Sequence, residues 1–297
     1  MTGTVLRLRE ATLSPGPDAP LIMGVVNASP ESFSDGASSA TLDRQLARAQ
    51  ALVEAGAHLL DVGGESGVTN RPPISAEEEI DRILPLVKEL VGAGCLVSVD
   101  TWKAPVAAAA LEAGAHLIND VSGLREPEIA DHCAAAGAGL VIMHTRAVPK
   151  VKAFPVYEDV TADVIRFLEE KIALATAHGV GLEHIVVDPG PDFAKTPAQT
   201  VTVLRQLPEL ARFRRPILLA VSRKDFVGAL TGRRPSARLA GTLAAIAEGV
   251  DAGASILRVH DVADVADFLK VRAGLRGYAD VPADLALPEH LRREPTP

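Results

Sequence analysis

Eight short runs rich in Val, Ile and Leu recur along this chain, and each is followed by polar residues and then a helical pattern. That is how a parallel sheet covered by helices reads. The runs are Leu21 to Val26, His58 to Val62, Leu96 to Asp100, His116 to Asp120, Leu140 to His144, His184 to Asp188, Ile217 to Ser222 and Ile256 to His260. Helical patterns fall between them near residues 42–55, 76–91, 103–113, 127–136, 158–178, 198–211, 237–252 and 262–273. A short echo marks the repeat: EAGAH precedes the second and fourth runs, AAGAG the fifth, AHGVG the sixth and DAGAS the eighth. Glycine there ends a helix, and a small neighbour lets the chain turn tightly into the next strand. Eight strands with periodic glycine predict one closed (β/α)₈ TIM barrel over residues 1–280 rather than a doubly wound sheet. Residues 281–297, with four prolines among charged residues, read as a loosely held tail.

Composition narrows the function classes. A chain of 297 residues with 47% hydrophobic content can bury a large core. The balance of 30 Lys and Arg against 38 Asp and Glu gives a net charge of −8, which argues against a broad nucleic-acid footprint and leaves room for a local anion pocket. The two cysteines, Cys95 and Cys133, have no metal-ligand spacing and read as reduced structural thiols. The apolar runs are too short to cross a bilayer, so a cytoplasmic location is expected.

In a barrel the loops at the C-terminal strand ends carry chemistry while strand interiors carry packing. Asn27 follows the first run, Asp100 ends the third, Asn119 and Asp120 end the fourth, and Met143 and His144 end the fifth. Asp188 ends the sixth, Ser222, Arg223 and Lys224 follow the seventh, and Arg258 and His260 belong to the eighth. A single polar strand end is ordinarily a cap or turn former; so many, with three carboxylates and three basic groups converging on one mouth, predict a binding site. The chemistry suggested is a flat organic ring with an amide-like edge. Asp100 and Asp188 can accept from paired N–H donors, Asn119 can donate and accept, and Lys224 can donate to a ring carbonyl or nitrogen. A second set, Arg258, His260 and Asn27, with Arg71 reaching in from the second loop, reads as an anion pocket. With no His ligand cluster, any Mg²⁺ is expected to be held partly by a phosphate. The first loop, containing Phe33, and the second are polar and glycine-rich enough to close over a ligand.

The segment IMGVVNASPESFSDG at 22–36 resembles the opening signature of the dihydropteroate synthase family. DVGGES at 61–66, SVDTWKAPVAAAALEAGAHLINDVSG at 98–123, VIMH at 141–144, VVDPG at 186–190, FAKT at 193–196, SRKDF at 222–226 and RVHDV at 258–262 follow in family order. The resemblance spans about residues 20–275. It implies a cytoplasmic enzyme, usually a homodimer, that joins 4-aminobenzoate to 6-hydroxymethyl-7,8-dihydropterin diphosphate and releases pyrophosphate with Mg²⁺ present. Asp100, Asn119, Asp188 and Lys224 would hold the pterin with Met143 against its ring. Asn27, Arg71, Arg258 and His260 would bind the diphosphate and its metal, Asn27 being the metal ligand. Asp35, Lys224 and Arg258 form the implied catalytic set, and Phe33, Phe193 and Asp225 join the substrate-binding set.

The chain departs from the family pattern in the second loop, where ESGVTNRPP replaces ESTRPG and displaces Thr69 and Arg71, and more mildly after the fifth run, at MHTRAVPK. It departs again at Asp225, where serine is common and an acid would face the carboxylate of 4-aminobenzoate. An aspartate there is also an excellent cap for its own helix. Two other readings are carried: a divergent relative with lost or altered arylamine transfer, and a pterin-dependent methyltransferase using a cobalamin protein partner. The SFSDG, SRK and RVHDV motifs argue against the second.

Overall fold

Runs of β-branched residues bounded by helix-ending glycines form short strands, buried on both faces when helices cover them. The computed structural model describes residues 4–28, 38–65 and 72–293. A short hairpin, β1 (Leu6–Leu8) and β2 (Ala11–Leu13), comes first. Strand and helix then alternate: β3 (Leu21–Asn27), α1 (Ser38–Glu54), β4 (Leu59–Gly63), α2 (Ala76–Gly92), β5 (Val97–Asp100), α3 (Ala104–Glu112), β6 (Leu117–Asp120), α4 (Glu128–Ala136), β7 (Gly139–Met143) and α5 (Val160–Ala177). The second half runs β8 (Ile185–Asp188), α6 (Pro197–Arg205), β9 (Leu218–Leu219), α7 (Asp225–Thr231), α8 (Leu239–Asp251), β10 (Ile256–Val259) and α9 (Val262–Arg276).

Strands β3 to β8 pair in parallel in chain order, β10 pairs β3, and β9 pairs β10. A parallel bridge between Val187 and Ile217 joins β8 to the β9 segment. The Val187 amide donates to the Pro216 carbonyl at 3.0 Å, which closes the ring. This is the expected (β/α)₈ barrel. The seventh strand is shorter than expected: only Leu218 and Leu219 join the ladder, and Ala220 and Ser222 continue into the mouth. The helix expected over 198–211 stops at Arg205 and tightens into a 3₁₀ segment over Leu207–Phe213, because Pro208 has no N–H to continue the ladder.

Strand alternation builds the interior in layers. Met23, Leu59, Leu117, Val141, Val186, Leu218 and Ile256 fill the lower layer, and Leu6 and Leu8 of the hairpin pack into the same cluster. The hairpin, which strand periodicity did not reveal, thus plugs the bottom of the barrel. Gly139 opens β7 because a Cβ there would lie 2.4 Å from Leu8 and 2.5 Å from Leu117. One pleat higher most inward positions turn polar, with Val25, Met143 and Ala220 the apolar ones. Residues 281–293 are exposed throughout, and both cysteines are free thiols, their pKa values raised by burial.

Candidate active site

Above the apolar layer, the strand ends enclose a cavity of about 560 Å³, a size suited to a small ligand. Asn27, Asp100, Asn119, Met143, Asp188, Phe193, Lys224, Asp225, Arg258 and His260 all line it. Phe33, Asp35, Thr69 and Arg71 lie outside the described residues.

The floor is a lattice of charges contributed by four strands. Arg258 Nε donates to Asp61 Oδ2 at 2.6 Å and its Nη2 donates to Asp100 Oδ2 at 2.7 Å. Asp61 also accepts from Ser98 Oγ at 2.6 Å and from Asn119 Nδ2 at 3.2 Å. With its nitrogen held by Asp61, Asn119 is left with its amide oxygen as an acceptor. Burial pushes the Asp100 carboxyl up to about 7, with the Arg258 charge opposing. Burial works against the Arg258 charge as well, but the Asp61 and Asp100 carboxylates outweigh it and hold the guanidinium protonated. Asp188 is raised to about 6 by burial, although its Oδ1 accepts from the Gly190 amide at 2.7 Å. Lys224 is pulled below the usual lysine range by burial, and its Nζ sits 4.2 Å from the centroid of the Phe193 ring, a cation–π distance.

Several sequence expectations change here. Asp120 does not join the mouth: its carboxylate accepts from the Ser122 and Leu124 amides at 2.7 and 2.6 Å. His144 also points away, with Nε2 3.1 Å from Asp163 Oδ2 and Nδ1 2.7 Å from Lys195 Nζ. Arg258, read as an anion ligand, spends two bonds on carboxylates. Arg223 is bonded through its Nε and Nη2 to both carboxylate oxygens of Asp261. His260 contributes a donor and no charge. Burial, reinforced by Arg258, holds its pKa down at about 4. Ser222 Oγ accepts from the His260 amide at 3.2 Å and lies 3.0 Å from His260 Nδ1, which leaves His260 Nε2 for a ligand.

Asp225 does not cap its helix. Lys224 occupies the extended cap position, and one first-turn donor of α7, the Phe226 amide, is taken by Asp192 Oδ2 at 3.2 Å. The Asp225 carboxylate accepts instead from Arg238 Nη1 at 3.2 Å and lies 3.8 Å from Lys152 Nζ. Sequence reasoning passed over Asp61, whose signal was an acid inside the apolar run LLDVG, in step with the inward Leu59. It also passed over the segment 147–154, which forms one wall of the cavity.

Among the described residues, no group of three His, Cys, Asp or Glu could hold a metal ion. Asn27 offers one amide oxygen at the rim, which fits a Mg²⁺ that arrives on a diphosphate and keeps most of its other ligands from phosphate and water.

A barrel whose mouth gathers carboxylates and an oriented amide suits a flat, hydrogen-bonding heterocycle, and the comparisons with known proteins name the class. The family described as pterin binding enzyme matches residues 23–260. The chain is 39% identical over 258 residues to the dihydropteroate synthase of Synechocystis, covering 86% of this chain and 89% of that protein. The dihydropteroate synthase of Xanthomonas albilineans with 4-aminobenzoic acid superposes with a TM-score of 0.86 at 40% identity, covering 95% of this chain and 100% of that one. The same enzyme in complex with 7,8-dihydropteroate gives 0.81 at 40% identity over 93% of this chain and 100% of that one. The chain belongs to the dihydropteroate synthase family.

Proposed function

We propose that the chain is a dihydropteroate synthase, condensing 6-hydroxymethyl-7,8-dihydropterin diphosphate with 4-aminobenzoate and releasing pyrophosphate. The observation that carries this reading is the acceptor set of Asp100, Asn119 and Asp188, gathered in one cavity with Lys224 and Arg258. Two carboxylates and an amide oxygen suit the amino and ring N–H groups of a pterin, and Lys224 suits its carbonyl or ring nitrogen. Met143 supplies an apolar contact for the ring.

The bond from the exocyclic carbon to the diphosphate oxygen breaks first, and its electron pair leaves with pyrophosphate. The resulting pterin cation is stabilised by resonance and by the fixed carboxylates beneath it. The amine of 4-aminobenzoate then forms the new C–N bond and passes a proton to water or to the released pyrophosphate. His260 Nε2 and the donors Arg258 has left would bind the departing anion, and Arg71 would join them. Asn27 would hold Mg²⁺, which when bound neutralises charge on the diphosphate. Asp35 and Phe33 would act from the first loop, with Phe193 and the start of α7 at the arylamine. A cytoplasmic homodimer belongs to the same proposal; no helix among the described residues is long and apolar enough to cross a membrane.

The deciding experiment is calorimetric titration with the pterin diphosphate and Mg²⁺, followed by 4-aminobenzoate in the same cell and assay of dihydropteroate and pyrophosphate. Tight pterin binding with stoichiometric release of both products is expected. Pterin binding without turnover would identify a relative that has lost arylamine transfer.

A further inference from the structure

Lys195 is buried in the turn between β8 and α6, outside the cavity wall. Its Nζ donates to His144 Nδ1 at 2.7 Å, to the Gly190 carbonyl at 3.0 Å and to the Phe193 carbonyl at 3.2 Å. His144 can accept there because its ring proton is on Nε2, facing Asp163. Asp163 in turn is held by Arg146 through two bonds of 2.8 Å and by Arg166 at 2.5 Å. Burial pulls the Lys195 pKa down to about 7, but each of its three acceptors needs a hydrogen that only the ammonium can supply in full. Among the described residues no carboxylate is bonded to it. Burying such a charge costs several kcal/mol, a cost that filling space with an apolar side chain would avoid.

The turn it holds is strained. Gly190 has φ +64, and a Cβ there would lie 2.0 Å from the His144 carbonyl oxygen. Asp192 and Ala194 are also left-handed, at φ 66 and 50, a conformation that persists only where surroundings over-determine it. Tyr157 Oη donates to the Ala194 carbonyl at 2.8 Å, and Asp192 is tied to Thr200 Oγ1 at 3.1 and 3.2 Å. From this turn the Phe193 ring reaches Lys224, and Asp192 reaches the first turn of α7.

We propose that Lys195 is a positioning residue for arylamine addition: by tying the Gly190–Phe193 turn to the end of β7, it sets the Phe193 ring against Lys224 at the wall that receives 4-aminobenzoate. The inference rests on the synthase reading. It weighs on the arylamine more than on the pterin, because Asp100 and Asn119 stand on strands away from the turn and only Asp188 touches it, through the Gly190 amide, while Phe193 stands on the tethered turn itself.

The test compares wild type, Lys195→Met, Phe193→Ala and the double variant in the full chain, measuring pterin diphosphate Kd, and KM and kcat with 4-aminobenzoate. Lys195→Met is expected to leave pterin Kd within about twofold and to raise the KM for 4-aminobenzoate about tenfold, as a misplaced contact does. Phe193→Ala should add little to that loss, since both changes remove one function. A pterin Kd that rises as far as the KM, or losses that multiply in the double variant, would overturn the proposal. If Lys195→Met does not fold, Tyr157→Phe cuts the neighbouring tether at Ala194. It must raise the same KM non-additively with Phe193→Ala, and an unchanged KM would overturn the proposal equally. A wild type that binds both ligands without turnover counts against the synthase reading alone, and the same comparison is then read from the Kd for 4-aminobenzoate.

Discussion

Arg258 and Asp61, 197 residues apart in sequence, meet at 2.6 Å on the barrel floor. The pair ties β10 to β4 across the sheet and, through Asn119 and Asp100, fixes two of the groups offered to the pterin. Arg258 is therefore part of the ring pocket before it is part of any anion site. Arg258→Met is expected to weaken bare 6-hydroxymethylpterin about as much as its diphosphate, and to destabilise the fold by about 3–5 kcal/mol, because Asp61 is left buried without its cation. Calorimetry with both ligands and chemical denaturation check this. A loss confined to the diphosphate would return Arg258 to the anion pocket alone.

Asp100 is bonded to Arg258 and, in the proposed complex, would offer the pterin an acceptor as well. Asp100→Asn keeps the shape and removes the charge, so pterin affinity should fall about 10- to 100-fold, the value of one charged hydrogen bond at roughly 1.5–3 kcal/mol. Unchanged affinity in a folded variant would sink the pterin pocket as described.

The raised carboxyls also give a signature in pH. Asp188 titrates at about 6 in the folded chain, above its ordinary value near 3.9. Its protonated form favours folding, so this contribution is fully present below about pH 4 and is lost as pH rises through about 6. Pterin binding needs the ionised acceptor and runs the other way, strengthening across the same window. His144 and His260, with pKa values held down at about 3 and about 4, shift stability in the opposite sense as they resist protonation. The comparison that isolates Asp188 is therefore wild type against Asp188→Asn, whose amide oxygen can still accept from the Gly190 amide. Denaturation from pH 4 to 7 should show wild type losing stability relative to the variant as pH rises, and a flat difference would refute the buried-carboxyl account.

How far the site was legible in sequence follows from pleat geometry. Apolar runs and their glycine-ended helices located the strands to within a residue or two, with β9 the exception. Polar strand ends located the mouth. Which of two adjacent polar residues faces inward was not legible, because neighbours on a strand point to opposite sides. Asn119 and Met143 face the cavity while Asp120 and His144, one position later, turn outward to cap a loop and to meet Lys195. Asp61 escaped notice because it lies within its strand and finds its partners on three others. The hairpin β1–β2 escaped because its three-residue strands are too short to show a period.

Asp225 is one of the places where the sequence reads as a departure from the family pattern, and the structure changes the reason for its effect. A helix N-terminus attracts anions, but at α7 the Phe226 amide is already taken by Asp192, a residue 34 positions away that no local reading could pair with it. Asp225 therefore does not compete with a substrate carboxylate for that amide. It competes for cations, since Arg238 and Lys152 both lie against its exposed carboxylate. Asp225→Ser removes a like charge from the rim and frees Lys152 for an incoming carboxylate, while Arg238 stays tied to the Arg223, Lys224 and Arg233 carbonyls. The expected result is a lower KM for 4-aminobenzoate, by about twofold to fivefold as suits an exposed pair worth up to about 1 kcal/mol, with pterin Kd unchanged. Steady-state kinetics at saturating pterin diphosphate reads the first and titration the second. Raising salt should narrow the gap between the two proteins, because exposed charges are screened. If wild type has a KM that the serine variant does not improve at low salt, Arg238 and Lys152 already neutralise Asp225 completely, and the departure is silent.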